Sequence, residues 1–238
     1  MASTREIVNC SSWDGRLTPD TFAIAARAFA DNWRRHNQSY PPWSWVPLKI
    51  RNLMGPKKEE GYLSLEKICV FRSLESGDEE DNSLNAAADS LEKDELIDHA
   101  ILVQNQQNEA HYYDFHIVYS ASYGVPVLYF RGYCSDGQPV SLDAIEKDLP
   151  TCSTSLLVES KWTFITQEEH PYLNRPWFKL HPCGTGEWTK LLFQSGSSNS
   201  NEHRRPVELY LVSWFSVVGR VVGLKVPLKM MNDLSCGT

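Results

Sequence analysis

A run of alternating residues in the middle of the chain constrains the fold more than any other feature of the sequence. Along 111–119, aromatic and apolar side chains occupy every second position, which is typical of a strand with one buried face. The residues on that face are Tyr113, Phe115, Ile117 and Tyr119. A second apolar run covers 125–131, and the segment 122–126 supplies the turn between the two runs. We therefore predict a hairpin within an antiparallel sheet.

Helix signals occur towards both ends of the chain. Thr18 and Pro19 are typical of a helix start, as the N-cap and the first helical residue. The segment 141–149 predicts a short capped helix, and 207–218 predicts a mostly buried helix that ends at Gly219. Further extended segments are predicted over 61–74 and 176–180. Central strands with helices at the ends predict an α+β fold, an antiparallel β-sheet flanked by helices.

The acidity of the chain is concentrated in one segment. The formal net charge is −7, and ten acidic residues against the single Lys93 lie between Glu75 and Asp98. Such a segment cannot bury enough apolar surface to offset the entropy of ordering it. We therefore predict a single domain over 1–238 with a mobile acidic insertion over 75–98. A run rich in Ser and Asn predicts a flexible loop over 194–206.

Charge, hydropathy and cysteine spacing argue against several classes of function. A pI near 5.5 argues against nucleic acid as the main partner. No stretch approaches eighteen apolar residues, and the first residues lack a basic region followed by an apolar run. We therefore expect no transmembrane segment and no secretory signal, in a cytoplasmic protein. With no signal sequence, the six cysteines are expected to be free thiols rather than a disulfide framework. They include no CxxC pair, so no metal site is expected, and we expect no cofactor.

One cysteine, Cys183, lies in a segment suited to chemistry. The preceding strand ends at Leu180, because Pro182 cannot donate a further ladder hydrogen bond. Gly184 and Gly186 then permit a sharp turn before a helix that starts near residue 187. A thiol on such a turn can reach solvent and a bulky partner, and its thiolate is a nucleophile. The alternative is a half-buried cysteine in a structural turn.

His181 lies two residues before Cys183, a spacing that on an extended chain directs both side chains the same way. It is either the base of a cysteine hydrolase or a side chain that shapes the turn by hydrogen bonding. A hydrolase also needs an Asn or Asp that orients the histidine, and the sequence specifies none. The remaining cysteines are interpreted as packing or tail residues: Cys10, Cys69, Cys134, Cys152 and Cys236.

Three blocks of the chain resemble the autophagy E2-like conjugating enzymes. They are His-Pro-Cys-Gly-Thr at 181–185, the hairpin block 119–131, and the block 213–224. The blocks stand in the right order and spacing, and the resemblance runs from about Trp43 to Leu228, broken by the acidic insertion. It implies an E2-like conjugating-enzyme core with added segments. It also implies that Cys183 forms a thioester with the C-terminal glycine of a ubiquitin-like protein.

The resemblance further implies partners and supporting residues. An E1-like enzyme, autophagy-related protein 7, would supply the ubiquitin-like autophagy-related protein 12. A lysine of autophagy-related protein 5 would accept it, in support of autophagosome formation. Tyr62 matches a family tyrosine linked with the active site, or it simply packs in its strand. Thr185 either donates its hydroxyl near the thioester or caps the next helix, and the amides of Gly184 and Thr185 are further donors. His181 would support Cys183.

Several alternatives remain open from the sequence. The sister family, autophagy-related protein 3, shares His-Pro-Cys but continues with His and Ala in the positions of Gly184 and Thr185, and it conjugates to a lipid headgroup. Ubiquitin E2 enzymes use a His-Pro-Asn motif, which 170–174 matches only with its asparagine, Asn174, displaced by two positions. A non-catalytic interaction module would bind partners through Trp43, Trp45 and the tyrosine-rich hairpin 112–133.

Overall fold

A computed structural model describes residues 7–9, 13–48, 60–73, 108–150, 165–195 and 204–232. The strands in these ranges are β1 (Ile7–Asn9), β2 (Ser44–Pro47), β3 (Gly61–Ser73), β4 (Asn108–Ser120), β5 (Val125–Cys134), β6 (Ile165–Glu169), β7 (Pro176–Leu180) and β8 (Arg204–Pro206). The helices are α1 (Pro19–His36), α2 (Leu142–Asp148), α3 (Thr185–Ser195), α4 (Leu209–Val221) and α5 (Leu228–Asn232). The predicted α+β class is confirmed.

The main sheet has six antiparallel strands in the order β2-β3-β4-β5-β7-β6. The predicted hairpin is its centre, with Phe115 paired to Phe130 and Ile117 paired to Leu128. Strands β1 and β8 form a separate two-stranded sheet, which joins the start of the chain to the segment before α4. The strand that leads to Cys183, β7, is therefore held between β5 and β6.

The larger core lies on the face of the sheet that α1 and α4 cover. The rings of Phe29, Trp33, Trp43 and Phe215 pack against one another, edge to face except for the tilted Phe29–Trp33 pair, and all four side chains are fully buried. The predicted inward face of β4 packs here too. Burial of several large aromatic rings is the main stabilising term for these helices, at roughly 2–3 kcal/mol per ring. A smaller buried cluster occupies the opposite face: Tyr62, Val118, Val127, Tyr129 and Trp177.

The local helix signals are confirmed at their starts. Thr18 caps α1, accepting a hydrogen bond from the amide of Thr21 at 3.2 Å, and Pro19 is the first helical residue. The hydroxyl of Ser141 accepts a hydrogen bond from the amide of Ala144 at the start of α2.

The predicted end of the last long helix at Gly219 is wrong. Helix α4 continues to Val221, and the residue with left-handed backbone at its end is Gly223, with φ +77°. A Cβ at Gly219 would lie 2.7 Å from the carbonyl oxygen of Leu224 and 2.8 Å from the ring of Phe215. That glycine therefore permits close packing inside the helix, which local sequence does not distinguish from a stop signal.

The structure describes parts of one of the two segments predicted to be mobile and none of the other. The acidic insertion, 75–98, lies outside them. The loop predicted over 194–206 is shortened at both ends, because residues 194 and 195 end α3 and Arg204–Pro206 forms β8. Residues 196–203 also lie outside the described ranges.

Candidate active site

Cys183 lies in the tight turn between β7 and α3. Pro182 ends the strand, and its carbonyl accepts a hydrogen bond from the amide of Thr185 at 3.1 Å, which closes the turn. Gly184 has φ +71°, and a Cβ there would meet nothing within 4 Å, so glycine is favoured by backbone conformation rather than by space. The amide of Trp188 donates to the carbonyl of Gly184 at 3.0 Å and begins α3. The helix thus starts at Thr185, two residues earlier than predicted.

The thiol of Cys183 is accessible, unlike the other described thiols. Cys69 and Cys134 are partly buried, whereas Cys183 is exposed, and none of the three forms a disulfide. Burial raises the pKa of the Cys69 thiol, although a hydrogen bond with Tyr112 opposes that shift. The predicted packing residues Cys10, Cys152 and Cys236 lie outside the described residues. Among the described cysteines, Cys183 is therefore the one that a large partner can reach.

His181 contacts Cys183 through both of its ring nitrogens. Its Nδ1 accepts a hydrogen bond from the amide of Cys183 at 3.1 Å, and its Nε2 lies 3.6 Å from Sγ. Because Nδ1 is an acceptor, the neutral ring carries its proton on Nε2 and directs it at the sulfur. This tautomer can stabilise negative charge on the sulfur but cannot remove the thiol proton. His181 therefore shapes the turn and faces the sulfur, and with this tautomer the geometry does not supply the base that a hydrolase needs.

Sequence reasoning assigned only a turn to 122–126 and missed Tyr123. This residue lies in the β4–β5 turn, and its ring contacts that of His181, with centroids 6.3 Å apart and planes at 72°. Its side chain is 44% exposed, a high value for a large aromatic residue. The presence of an aromatic residue in a predicted hairpin turn is the sequence signal that could have identified Tyr123.

Thr185 is placed beside Cys183, but its side chain is buried. It is the first residue of α3, so the cap position belongs to Gly184 and the predicted capping role of Thr185 is wrong. Its carbonyl accepts a hydrogen bond from the hydroxyl of Thr189 at 2.7 Å. The amide of Thr185 is engaged by Pro182, whereas no protein acceptor within the described ranges binds the amide of Gly184.

Tyr62 is not brought next to Cys183. It lies on β3, three strand spacings from β7, which corresponds to a backbone separation of about 14 Å. Its side chain is buried in the smaller cluster, where it stacks on Tyr172 with ring centroids 5.6 Å apart. Burial, with a smaller contribution from Glu66, raises the pKa of Tyr62. These contacts favour the strand-packing interpretation of Tyr62.

The smaller cluster contains a buried pair of histidines that the sequence did not identify as a pair. Nδ1 of His116 and Nε2 of His170 are 3.0 Å apart, and both side chains are buried. His170 Nδ1 accepts a hydrogen bond from the amide of Tyr172 at 3.3 Å, so its Nε2 donates to His116. Burial, the neighbouring His170 and then Arg131 lower the pKa of His116 to about 3, and burial lowers the pKa of His170 to about 4.

His170 and Asn174 form the β6–β7 turn, at the opposite end of β7 from Cys183. The amide of Asn174 donates to the carbonyl of His170 at 3.2 Å, and the amide of His170 donates to that of Arg175 at 2.8 Å. Asn174 has φ +50°, a left-handed conformation that asparagine tolerates. Asn174 is therefore a turn residue and does not reach the thiol.

The hairpin tyrosines differ in accessibility. Tyr129 is buried in the smaller cluster, which supports the core interpretation of that face. Tyr133 is half-buried, stacks on Tyr112 and donates its hydroxyl hydrogen to Asp114 at 3.1 Å. Burial, followed by Glu168, raises the pKa of Tyr129 to about 12, and burial, followed by Asp114, raises that of Tyr133 to about 12. Both remain protonated hydroxyl groups at neutral pH.

Two further observations concern membrane spans and metal sites among the described residues. None of their helices is both long enough and apolar enough to span a bilayer. Within the same ranges, no three His, Cys, Asp or Glu side chains are grouped so that they could hold a metal ion.

An antiparallel sheet backed by helices, with an accessible thiol between a strand and a helix, is consistent with the fold of the E2-like conjugating enzymes. The family described as "Autophagocytosis associated protein, active-site domain" matches residues 21–229, and the chain belongs to it. The predicted class, an E2-like conjugating enzyme of autophagy, is confirmed.

Three curated relatives illustrate the match. Ubiquitin-like-conjugating enzyme ATG10 of Arabidopsis thaliana is 68% identical over 232 residues, covering 98% of this chain and 100% of that protein. The human protein of the same name is 44% identical over 124 residues, covering 52% of this chain and 54% of that protein. Autophagy-related protein 3 of Kluyveromyces lactis is 30% identical over 106 residues, covering 44% of this chain and 33% of that protein.

Proposed function

We propose that Cys183 carries the ubiquitin-like autophagy-related protein 12 as a thioester and transfers it to a lysine of autophagy-related protein 5, in support of autophagosome formation. The E1-like autophagy-related protein 7 supplies the charged protein. The observation that carries this proposal is the exposed thiol of Cys183, with Nε2 of His181 3.6 Å from its sulfur.

The first step is an exchange between two thiols. The Cys183 thiolate attacks the carbonyl carbon of the thioester on the E1-like enzyme, and the thiolate of that enzyme leaves. One thioester is broken and one is formed, so the exchange is nearly balanced in free energy. The Nε2–H of His181 favours the attacking thiolate, because a hydrogen bond to an ionised acceptor is stronger than one to a neutral acceptor.

The second step forms the isopeptide bond. The neutral amine of the acceptor lysine attacks the thioester carbonyl, the Cys183 thiolate leaves, and the amine loses a proton to solvent. Negative charge develops on the carbonyl oxygen during attack, and hydrogen-bond donors beside that oxygen lower the barrier. The amide of Gly184 is available for this role, whereas that of Thr185 is engaged by Pro182 at 3.1 Å. The N terminus of α3 adds a favourable dipole.

The alternatives receive less support. A hydrolase requires a base for the attacking water, and both nitrogens of His181 are committed as an acceptor from the backbone and a donor to sulfur. The lipid-conjugating sister family shares His-Pro-Cys but has His and Ala in place of Gly184 and Thr185. Gly184 adopts a φ of +71°, which glycine tolerates without strain, so the turn suits the Gly-Thr pattern of the protein-conjugating branch.

The test is a charging assay that compares the wild-type chain with Cys183→Ala, Cys183→Ser and a control variant. Incubated with the E1-like enzyme, ATP and the ubiquitin-like protein, the wild-type chain should form an adduct that a thiol reductant cleaves on a gel. Cys183→Ala should form no adduct. Cys183→Ser should charge slowly, and its oxyester should resist the reductant, because an alkoxide is a poorer leaving group than a thiolate.

The matched control is Cys69→Ala, which removes a partly buried thiol on β3 and should charge nearly as the wild type does. A reducible adduct on Cys183→Ala would show that another cysteine is the carrier. Discharge assays with autophagy-related protein 5 or with vesicles containing an amine headgroup then separate the two branches. Faster transfer to the vesicles would contradict the proposed acceptor.

A further inference from the structure

A short segment before α1, residues 13–17, contacts three parts of the molecule at once. We call this segment the brace. It precedes residue 21, where the family match begins. The brace is held in shape by its own hydrogen bonds: Nε1 of Trp13 donates to the carbonyl of Arg16 at 2.6 Å, and the amide of Arg16 donates to Asp14 at 3.0 Å. Its contacts with the rest of the chain include the first turn of α3, which follows Cys183, and the β4–β5 turn.

One side of the brace lies against the first turn of α3. Gly15 has φ +81°, and a Cβ at Gly15 would lie 1.8 Å from the carbonyl oxygen of Gly186. The two backbones therefore touch without any side chain between them. The hydroxyl of Tyr210, on α4, donates to the carbonyl of Gly15 at 2.9 Å, and the ring of Trp13 packs edge-on against the Tyr210 ring at 5.6 Å. These contacts hold Gly15 against the residue three positions after Cys183.

The other side of the brace holds the β4–β5 turn. The amide of Leu17 donates to the carbonyl of Gly124 at 2.7 Å, and the hydroxyl of Tyr119 donates to the carbonyl of Leu17 at 2.8 Å. The residue before Gly124 in this turn, Tyr123, contacts the ring of His181. The brace thus links the turn that supports His181 with the helix that follows Cys183.

We propose that the brace positions the reacting thiol, by setting the separation between the N terminus of α3 and the β4–β5 turn that carries Tyr123. Its residues are positioning residues, since they act through Gly186 and through the Tyr123–His181 contact. The inference rests on the proposed role of Cys183. It extends the site to residues that lie before the family match and about 170 positions from the cysteine along the chain.

The test compares two glycines that share a backbone conformation. Gly15→Ala forces the two backbones apart by about 1 Å or more, a misplacement that can reduce a reaction rate by up to about a hundredfold. Gly137→Ala is the matched control, because Gly137 has φ +85° but a Cβ there would meet nothing within 4 Å. Both changes place an alanine in a left-handed backbone conformation, which destabilises the folded chain, but only Gly15→Ala displaces Gly186.

The readout is charging by the E1-like enzyme at increasing concentrations of the chain. We expect Gly15→Ala to lower kcat at least about tenfold with an unchanged KM, and Gly137→Ala to change neither. A loss of folded protein alone would raise the apparent KM and leave kcat unaltered. Wild-type kcat in Gly15→Ala, or a loss confined to KM, would overturn the role of the brace.

A second variant covers the case in which Gly15→Ala does not fold. Tyr210→Phe keeps the ring but removes the hydroxyl that holds Gly15, and it should lower kcat by about three- to tenfold. A wild-type kcat in this variant would also overturn the proposal. A wild-type chain that charges on another cysteine would instead contradict the proposed function, and the inference would fall with it.

Discussion

At the scale of single residues, His181 determines what the thiol can do. Its Nδ1 is occupied by the amide of Cys183, so its Nε2 proton faces the sulfur. The same ring therefore stabilises the turn and offers a hydrogen bond to the nucleophile. These two roles can be separated, because the side chains of Asn and Gln each reproduce one nitrogen of the imidazole.

We predict that His181→Asn keeps the bond to the backbone amide but loses the donor to sulfur, whereas His181→Gln keeps a donor near the sulfur. Charging should slow by about tenfold in His181→Asn and less in His181→Gln, since a hydrogen bond to a charged group contributes about 1.5–3 kcal/mol. The measurement is the initial rate of adduct formation, together with the rate at which iodoacetamide alkylates Cys183. If the two variants behave alike, His181 serves only the turn.

At the scale of secondary-structure elements, the His116–His170 pair joins β4 to the β6–β7 turn. Four aromatic side chains surround the pair: Tyr62, Tyr129, Tyr172 and Trp177. Arg131 also lies beside this cluster, with its guanidinium 5.7 Å from the ring centroid of Trp177. A positive charge on either histidine would be desolvated, and a charge on His116 would also be repelled by Arg131.

This pair predicts a loss of stability in mild acid. The unfolded histidines take up protons near pH 6.5, whereas in the folded chain the pKa values are about 3 and about 4. Between pH 6.5 and pH 4 the unfolded state therefore binds more protons, and the free energy of unfolding falls as the pH falls. The expected slope is up to about 1.4 kcal/mol per pH unit for each histidine.

Urea unfolding at a series of pH values measures this slope. In His170→Gln the amide nitrogen can still donate to His116, but the side chain does not titrate, so the part of the slope that the histidine pair contributes should fall by about half. Comparison of the two proteins cancels the contribution of the carboxylates. An unchanged slope in the variant would exclude His170 as a source of the pH dependence.

The elements that sequence analysis predicted are those specified by neighbouring residues. Thr18 and Pro19 mark the start of α1 through a local cap, and the period of two along β4 marks the face that packs in the larger core. Gly219 was misread because its packing partner is the Leu224 carbonyl beyond the helix. The turn of Cys183 was predictable from Pro182 and the glycines. The His116–His170 pair was not, because its members are 54 positions apart.

At the scale of the whole molecule, the site depends on contacts between distant parts of the chain. Tyr123, the brace and Tyr210 meet around the Cys183 turn, although no sequence motif relates them. Tyr62 had been expected there through a family resemblance, and it lies on another strand instead. A motif predicts the reacting atom and its neighbours in sequence, whereas the surroundings follow from tertiary packing.

The acidic insertion can be tested through the ends of the strands that flank it. Ser73, the last residue of β3, pairs with Asn108, the first of β4, so Asn-Gly can join them as a tight hairpin turn. With histidines counted as neutral, replacement of 74–107 in this way changes the formal net charge from −7 to about +2. If the segment is mobile, the shorter loop should raise the free energy of unfolding by about 2 kcal/mol.

Denaturant unfolding and the charging assay measure the outcome of this replacement. We expect a stability at or above that of the wild type and an unchanged rate of charging. A drop in stability of the shortened chain would mean that 74–107 contributes native contacts, contrary to the prediction of a mobile insertion.

The bond from Tyr210 to Gly15 spans 195 positions, and it has a consequence for the order of events during translation. The ribosome makes Gly15 long before Tyr210, so the support of the Cys183 turn is completed only after Tyr210 has been made, 27 positions beyond the cysteine. A nascent chain can therefore contain the cysteine while lacking the contacts that we propose to position its thiol. On that proposal, a chain that is still being made would be charged poorly until the bond from Tyr210 to Gly15 has formed.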